Sequence, residues 1–296
     1  MLRWRLLLGT VFIGALVGLV WADVHYRLDG FVLHSIAGIL TVLATQEYLG
    51  LVGAREPKLD RSVLYIGNLS IVVLPWLALN EIFPLRISKE EYGDVILAAY
   101  TIAMLTLVIV EIGRYDKDKS TRVTERLAFT AFGLFYVGVL MSFITRLCYD
   151  GRIYPLVSML VVVKMADIGA YTVGRLIGKH KLAPKLSPGK TIEGLGGGLA
   201  FSVFGGLLIA KLFGRDVFGG VDEAGKGILS HTIVYALVVS ATGVVGDLVE
   251  SLLKRDFGRK DSSTWMPGFG GVLDILDSPL LAAPVAWAFW HWGWMR

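Results

Sequence analysis

The chain has 296 residues, of which 54% are hydrophobic and only 18% charged, and its mean hydropathy is +0.62. That balance excludes a soluble domain with ordinary polar faces, and the formal charge of +4 matters less by its size than by its placement. Cys148 is the only cysteine, so no internal disulfide can form and no zinc or iron–sulfur ligand set exists.

Apolar runs recur along the chain, each long enough to cross a bilayer, which takes roughly 20 residues. They predict about nine transmembrane helices, near residues 5–22, 31–49, 63–83, 94–113, 126–146, 153–174, 194–213, 228–252 and 276–294. The fold class is therefore all-α and polytopic, an integral membrane protein read as a single membrane domain over residues 1–296. Arg3 and Arg5 before the apolar run 6–21 look like a signal peptide, but no clear small-residue cleavage site follows. We read the run as a retained first helix. Lys and Arg fall about twice as often in alternate loops, which places the N-terminus and the loops 175–193 and 253–275 in the cytoplasm. No convincing internal repeat appears, which weakens a transporter built from duplicated halves.

The first five runs carry few charges; the last four carry the informative ones. In the sixth, Lys164, Asp167, Tyr171 and Arg175 fall three, four and four residues apart, one stripe of a helix. A Lys164–Asp167 pair that only glues helices together is the plainer alternative. The loop that follows holds Lys179, His180, Lys181, Pro184, Lys185, Ser187, Pro188, Lys190 and Thr191, and it is basic and rich in Pro and Gly. Gly189-Lys190-Thr191 invites a P-loop reading, which fails because Pro184 stands where that motif needs Gly. Ser187 or Thr191 is a candidate cap for the next helix, and Gly194, Gly196, Gly197 and Gly198 suit close helix packing.

In the eighth run Asp247, Glu250, Ser251, Lys254 and Arg255 share one face. Two helices thus carry acids beneath a basic cytoplasmic rim, an arrangement that a cavity open to the cytoplasm would explain. Between the eighth and ninth runs lie Arg259-Lys260-Asp261 and the glycine-rich Pro267-Gly-Phe269-Gly270-Gly271, followed by Asp274 and Asp277 at a helix start. Carboxylates there are also simply favourable against the helix dipole. Cations for phosphates, carboxylates for Mg²⁺ and glycines for close backbone approach together suggest phosphoryl or nucleotidyl chemistry at a membrane.

These residues resemble phosphatidate cytidylyltransferase, the CDP-diacylglycerol synthase family. The family's C-terminal signature is matched in register by Ser251, Lys254, Arg255, Lys260, Asp261, Pro267, Gly270, Gly271, Asp274 and Asp277. An earlier family motif looks like the stretch from Asp167 and Tyr171 through Arg175, Lys179, Ser187, Lys190, Thr191 and Glu193. The resemblance covers residues about 150–296; the first half matches by hydropathy alone. Two positions depart from it: Phe269 stands where the family usually has His, and Ile275 where it usually has Arg.

The resemblance implies transfer of CMP from CTP to phosphatidate, a step of phospholipid biosynthesis, by a Mg²⁺-dependent enzyme of the cell's inner membrane with its site facing the cytoplasm. On that reading residues 1–150 are mainly structural and 151–296 catalytic. Asp247, Asp274 and Asp277 would hold Mg²⁺, alone or with a second cation such as K⁺. Lys254, Arg255 and Lys260 would hold phosphates, and Arg175, Lys179 and Lys190 would line the CTP entrance. Asp167, Tyr171, Ser187, Thr191, Glu193, Ser251, Asp261, Gly270 and Gly271 would complete the substrate site. A homodimer in membrane lipid is implied, and no nucleic-acid partner. The alternatives are a cation or proton transporter using Lys164, Asp167 and Asp247 as a relay, or a catalytically lapsed, lipid-binding relative.

Overall fold

The computed structural model describes residues 18–19, 22–23, 25–26, 28–53, 59–80, 82, 87–115, 122–148, 153–213, 226–263 and 270–295. Within these, eight helices are long and apolar enough to cross a membrane: α1 (Phe31–Val52), α2 (Arg61–Leu79), α3 (Tyr92–Tyr115), α4 (Val123–Arg146), α5 (Tyr154–Ile177), α6 (Ile192–Phe213), α7 (Lys226–Asp256) and α8 (Val272–His291). Each falls on one of the expected apolar runs. The first expected run, near 5–22, lies almost wholly outside the described residues. The chain is a multi-pass, all-helical membrane protein with one small addition. Between α5 and α6 the basic loop forms an antiparallel hairpin of β1 (Lys181–Ala183) and β2 (Ser187–Thr191), with Lys181 opposite Thr191 and Ala183 opposite Ser187.

The chain divides into two compact units. Unit 1 combines the residues up to Thr145 with Asp256–Ile275; unit 2 comprises Arg146–Arg255 and Leu276–Arg296. The segment around the Arg259-Lys260-Asp261 run is therefore part of the unit built by the N-terminal helices.

In unit 1 the helices start and pack for identifiable reasons. Asp60 caps α2 by accepting the Val63 N–H at 2.9 Å, and its other oxygen takes Arg114 of α3 at 2.6 Å. α4 contains a π-helical segment, Leu134–Val139, flanked by tight contacts. A side chain at Gly133 would strike Tyr48 and Leu64, and one at Gly138 would strike Asn68, so α1, α2 and α4 approach closely there. The Tyr48 hydroxyl donates to the Phe129 carbonyl at 2.6 Å, and Asn68 donates to Thr45 at 2.9 Å, satisfying polar groups that lipid could not. Arg126 and Glu111, each 3% exposed, form a buried ion pair at 2.7 Å.

In unit 2, α5 and α6 pack backbone against backbone. A Cβ at Gly169 would collide with Gly197 and Phe201, one at Gly197 with Val173, and one at Gly198 with the Ala166 carbonyl. With Gly194, whose Cβ would meet the Ala170 carbonyl, three of the four expected packing glycines of α6 work as small-residue contacts. Gly196 does not: nothing lies within 4 Å of its Cβ position. α7 and α8 meet as closely, since a Cβ at Gly246 would run into the Asp277 carbonyl.

Candidate active site

The acids and cations of unit 2 are drawn together by that packing. On α5 the stripe resolves into two local pairs. Lys164 Nζ lies 3.1 Å from Asp167 Oδ2, and Arg175 donates to the Tyr171 hydroxyl at 2.8 Å. Both pairs stay accessible, with Asp167 45% exposed and Tyr171 56% exposed. Charged side chains with that much exposed surface on an apolar span face something polar, because lipid would penalise them.

The hairpin brings a third cation. Thr191 Oγ1 accepts the Gly194 N–H at 3.1 Å, so Thr191 rather than Ser187 is the cap of α6. Glu193, in the first turn of α6, accepts the Lys179 N–H at 3.1 Å and the His180 N–H at 3.2 Å, and pairs with the His180 ring at 2.5 Å. Glu193 and Thr191 thus organise the strand ends. With the hairpin pinned this way, Lys190 stands with its ammonium 2.8 Å from Asp247 Oδ2 of α7. The two meet as a charge pair rather than a directed hydrogen bond. Ser251 Oγ lies 3.4 Å from Asp247 Oδ1, a long contact.

Asp277 on α8 completes the group. It lies within electrostatic reach of Asp247, Lys164 and Asp167, and its own Oδ1 accepts the Ser278 N–H at 2.5 Å. Two half-buried carboxylates, Asp247 and Asp277, therefore sit near each other with Lys190 and Lys164 as the neighbouring cations. That donor set suits a magnesium ion, which takes one or two carboxylates and fills its other positions with water and substrate phosphates. Among the described residues, no three carboxylate, histidine or cysteine side chains gather as a ready-made metal cage.

Two further expected cations of unit 2, Lys254 and Arg255, are already engaged. Lys254 pairs with Glu250, 1% exposed, at 2.7 Å, and Arg255 donates from Nε to the Leu186 carbonyl at 3.3 Å, tying the end of α7 to the hairpin turn.

Unit 1 holds the remaining expected residues. A cleft of about 730 Å³ is lined by Gln46 and Glu47 of α1 and by Arg259, Lys260, Asp261 and Ser262. Gly270 adopts φ 84°, the left-handed region that favours glycine. Asp274 Oδ2 accepts from the Gly271 N–H at 2.7 Å, the Ser262 N–H at 3.1 Å and the Ser262 hydroxyl at 2.7 Å. This is the reach-back of a third helical residue to its own cap, so Asp274 is fixed by the turn it closes. Pro267, Gly268 and Phe269 lie outside the described residues; Ile275 lies in the first turns of α8.

Sequence reasoning passed over Glu47. Its Oε1 accepts the Val272 N–H and its Oε2 the Leu273 N–H, both at 2.8 Å, and Oε2 also lies 3.0 Å from the Ser262 hydroxyl oxygen. Glu47 and Glu111 are both acids inside apolar runs. The rule that singled out Asp167 and Asp247 applied equally to them.

The cytidylyltransferase family model matches residues 3–292 of this chain. Over 256 residues the chain is 31% identical to a phosphatidate cytidylyltransferase of Staphylococcus saprophyticus, covering 86% of this chain and 88% of that protein. It is 32% identical over the same span to a phosphatidate cytidylyltransferase of Staphylococcus aureus, with the same coverage. To one from Brucella suis it is 41% identical over 161 residues, 54% of this chain and 56% of that one.

Proposed function

From its membership of the cytidylyltransferase family, to which this chain belongs, we infer that the protein transfers CMP from CTP to phosphatidate, giving CDP-diacylglycerol and pyrophosphate. Transport is not favoured beside that kinship. Lys190 standing on Asp247, with Asp277 nearby, carries the reading, because it joins the cation of a nucleotide-facing hairpin to the carboxylates of the membrane helices.

The phosphate of phosphatidate is already an anionic nucleophile, so no covalent enzyme intermediate is needed. One of its oxygens attacks the α-phosphorus of CTP, the bond to the β-phosphate breaks, and pyrophosphate leaves with the electron pair. The work left to the protein is alignment and charge neutralisation. Asp247 and Asp277 are the residues suited to hold Mg²⁺, whose bound charge would activate the α-phosphate and steady the departing pyrophosphate. Lys190 changes partner from Asp247 to a phosphate of the nucleotide. Arg175 and Lys179 serve the same mouth, and Lys164 holds Asp167 in place as its charge partner. In unit 1, Arg259 and Lys260 line a cleft suited to phosphate. The density of Lys and Arg in the loops 175–193 and 253–275 supports a site facing the cytoplasm in the inner membrane.

Purified protein given radiolabelled CTP, phosphatidate and Mg²⁺ tests the assignment. Labelled CDP-diacylglycerol is expected; its absence with well-folded protein refutes the activity.

A further inference from the structure

Glu47 lies in the half of the chain that sequence reading treats as scaffold, 215 residues away from Ser262 and 226 from Leu273, yet it binds both. It is 9% exposed, and each of its oxygens accepts a backbone N–H of the first turn of α8. The first turn of a helix has amide donors with no partner inside the helix, and a buried one left unpaired is costly. Here the three amides at the start of α8 are shared between two carboxylates: Gly271 goes to Asp274, Val272 and Leu273 to Glu47. The Ser262 hydroxyl lies between them, 3.0 Å from Glu47 and 2.7 Å from Asp274. The two glycines exist for this closeness. A Cβ at Gly271 would strike both Glu47 oxygens, and one at Gly270 would strike the Asp274 carboxylate.

We propose that Glu47 is a positioning residue for the reaction: it ties Ser262 to the first turn of α8, and so sets the orientation of the Arg259–Lys260 cleft it helps to line. The proposal rests on the cytidylyl-transfer reading and adds to it a residue from the N-terminal half. A side chain that aligns reacting groups without touching them is felt in turnover rather than in substrate affinity, because small misplacements slow the chemical step steeply.

The test is Glu47→Gln in the full-length protein. The amide keeps the shape but turns one oxygen into a donor facing a backbone N–H. Expected results are a kcat about 10–100-fold lower per folded molecule, a KM for CTP within about threefold of wild type, and a thermal midpoint lowered by only a few degrees, the cost of about one unpaired buried amide. Hydrogen exchange at Val272 and Leu273 should quicken while α2 and α3 stay protected. Ser262→Ala removes only the hydroxyl between the carboxylates and should lower kcat in the same sense, which keeps the test alive if Glu47→Gln fails to accumulate. Wild-type kcat in either variant that folds overturns the proposal, as does a loss of activity that merely tracks loss of folded protein. Product from the wild-type protein in the same assay separates a failure here from a failure of the cytidylyl-transfer reading.

Discussion

The two units neutralise their acids by different means. In unit 1, Glu47, Asp274 and Glu111 are held by backbone amides, a serine hydroxyl and a guanidinium, donors that cannot leave without unravelling a turn or exposing a charge. In unit 2, Asp167 and Asp247 face lysine ammoniums on flexible stems, Lys164 and Lys190, the second carried by a short hairpin. A lysine can change partner when a phosphate or a metal ion arrives; a backbone amide cannot. The first arrangement fixes geometry, and the second leaves charge available for exchange with substrate.

That contrast is broken most sharply at its two extremes. Asp247→Asn should lower CDP-diacylglycerol formation by about 10²–10³-fold, the loss typical of a single preorganised electrostatic group, with the protein still accumulating in the membrane. The same variant should lose any rise in thermal midpoint that Mg²⁺ gives the wild type, and chelation should silence the wild type; an equal Mg²⁺ response in the variant would move the ion elsewhere. Arg126→Ala should do the reverse, leaving activity per folded molecule near wild type while destabilising unit 1 by about 3 kcal/mol, because buried Glu111 loses its close partner and keeps only Arg114 at 3.9 Å. Denaturation in detergent beside specific activity distinguishes the two; an active-site phenotype for Arg126→Ala would erase the distinction between the units.

Smaller effects sharpen the comparison. Lys190→Ala should raise the KM for CTP by about tenfold, the worth of roughly one charge-assisted contact, and Lys190→Arg should recover part of it. An unchanged KM would mean that Lys190 never hands over from Asp247. Smallest is the pair of α6 glycines. Gly197→Ala should lower the thermal midpoint through its collision with Val173, whereas Gly196→Ala, with open space around it, should raise stability by about 0.5–1 kcal/mol. Equal behaviour of the two would contradict the packing of α5 on α6.

The spans were legible because hydropathy over twenty residues needs no tertiary information, and the α5 stripe because its pairs are three and four residues apart. Local spacing marked the cap and the packing glycines too, but left Ser187 open beside Thr191 and Gly196 beside Gly197. The hairpin was hidden: three- and five-residue strands carrying Pro188 and Gly189 offer no alternation to read. The roles of Lys254 and Asp274 were half legible. Their positions were marked, but their partners Glu250 and Ser262 show a group expected on phosphate and one expected on Mg²⁺ each bonded within the protein. Glu47 was the least accessible, since its partners lie more than two hundred residues downstream. An acid in an apolar run announced that it needed donors without saying which.

The reach of Glu47 also bears on how this architecture can be cut and rejoined. The motif-bearing half is not a portable cassette. Severed after residue 150, or spliced to a foreign N-terminal partner, it would present the amides of Val272 and Leu273 with no acceptor. Chimaeras should therefore succeed only where the donor of the first half brings an acid at the depth of Glu47, a requirement that ties the inheritance of the two halves together.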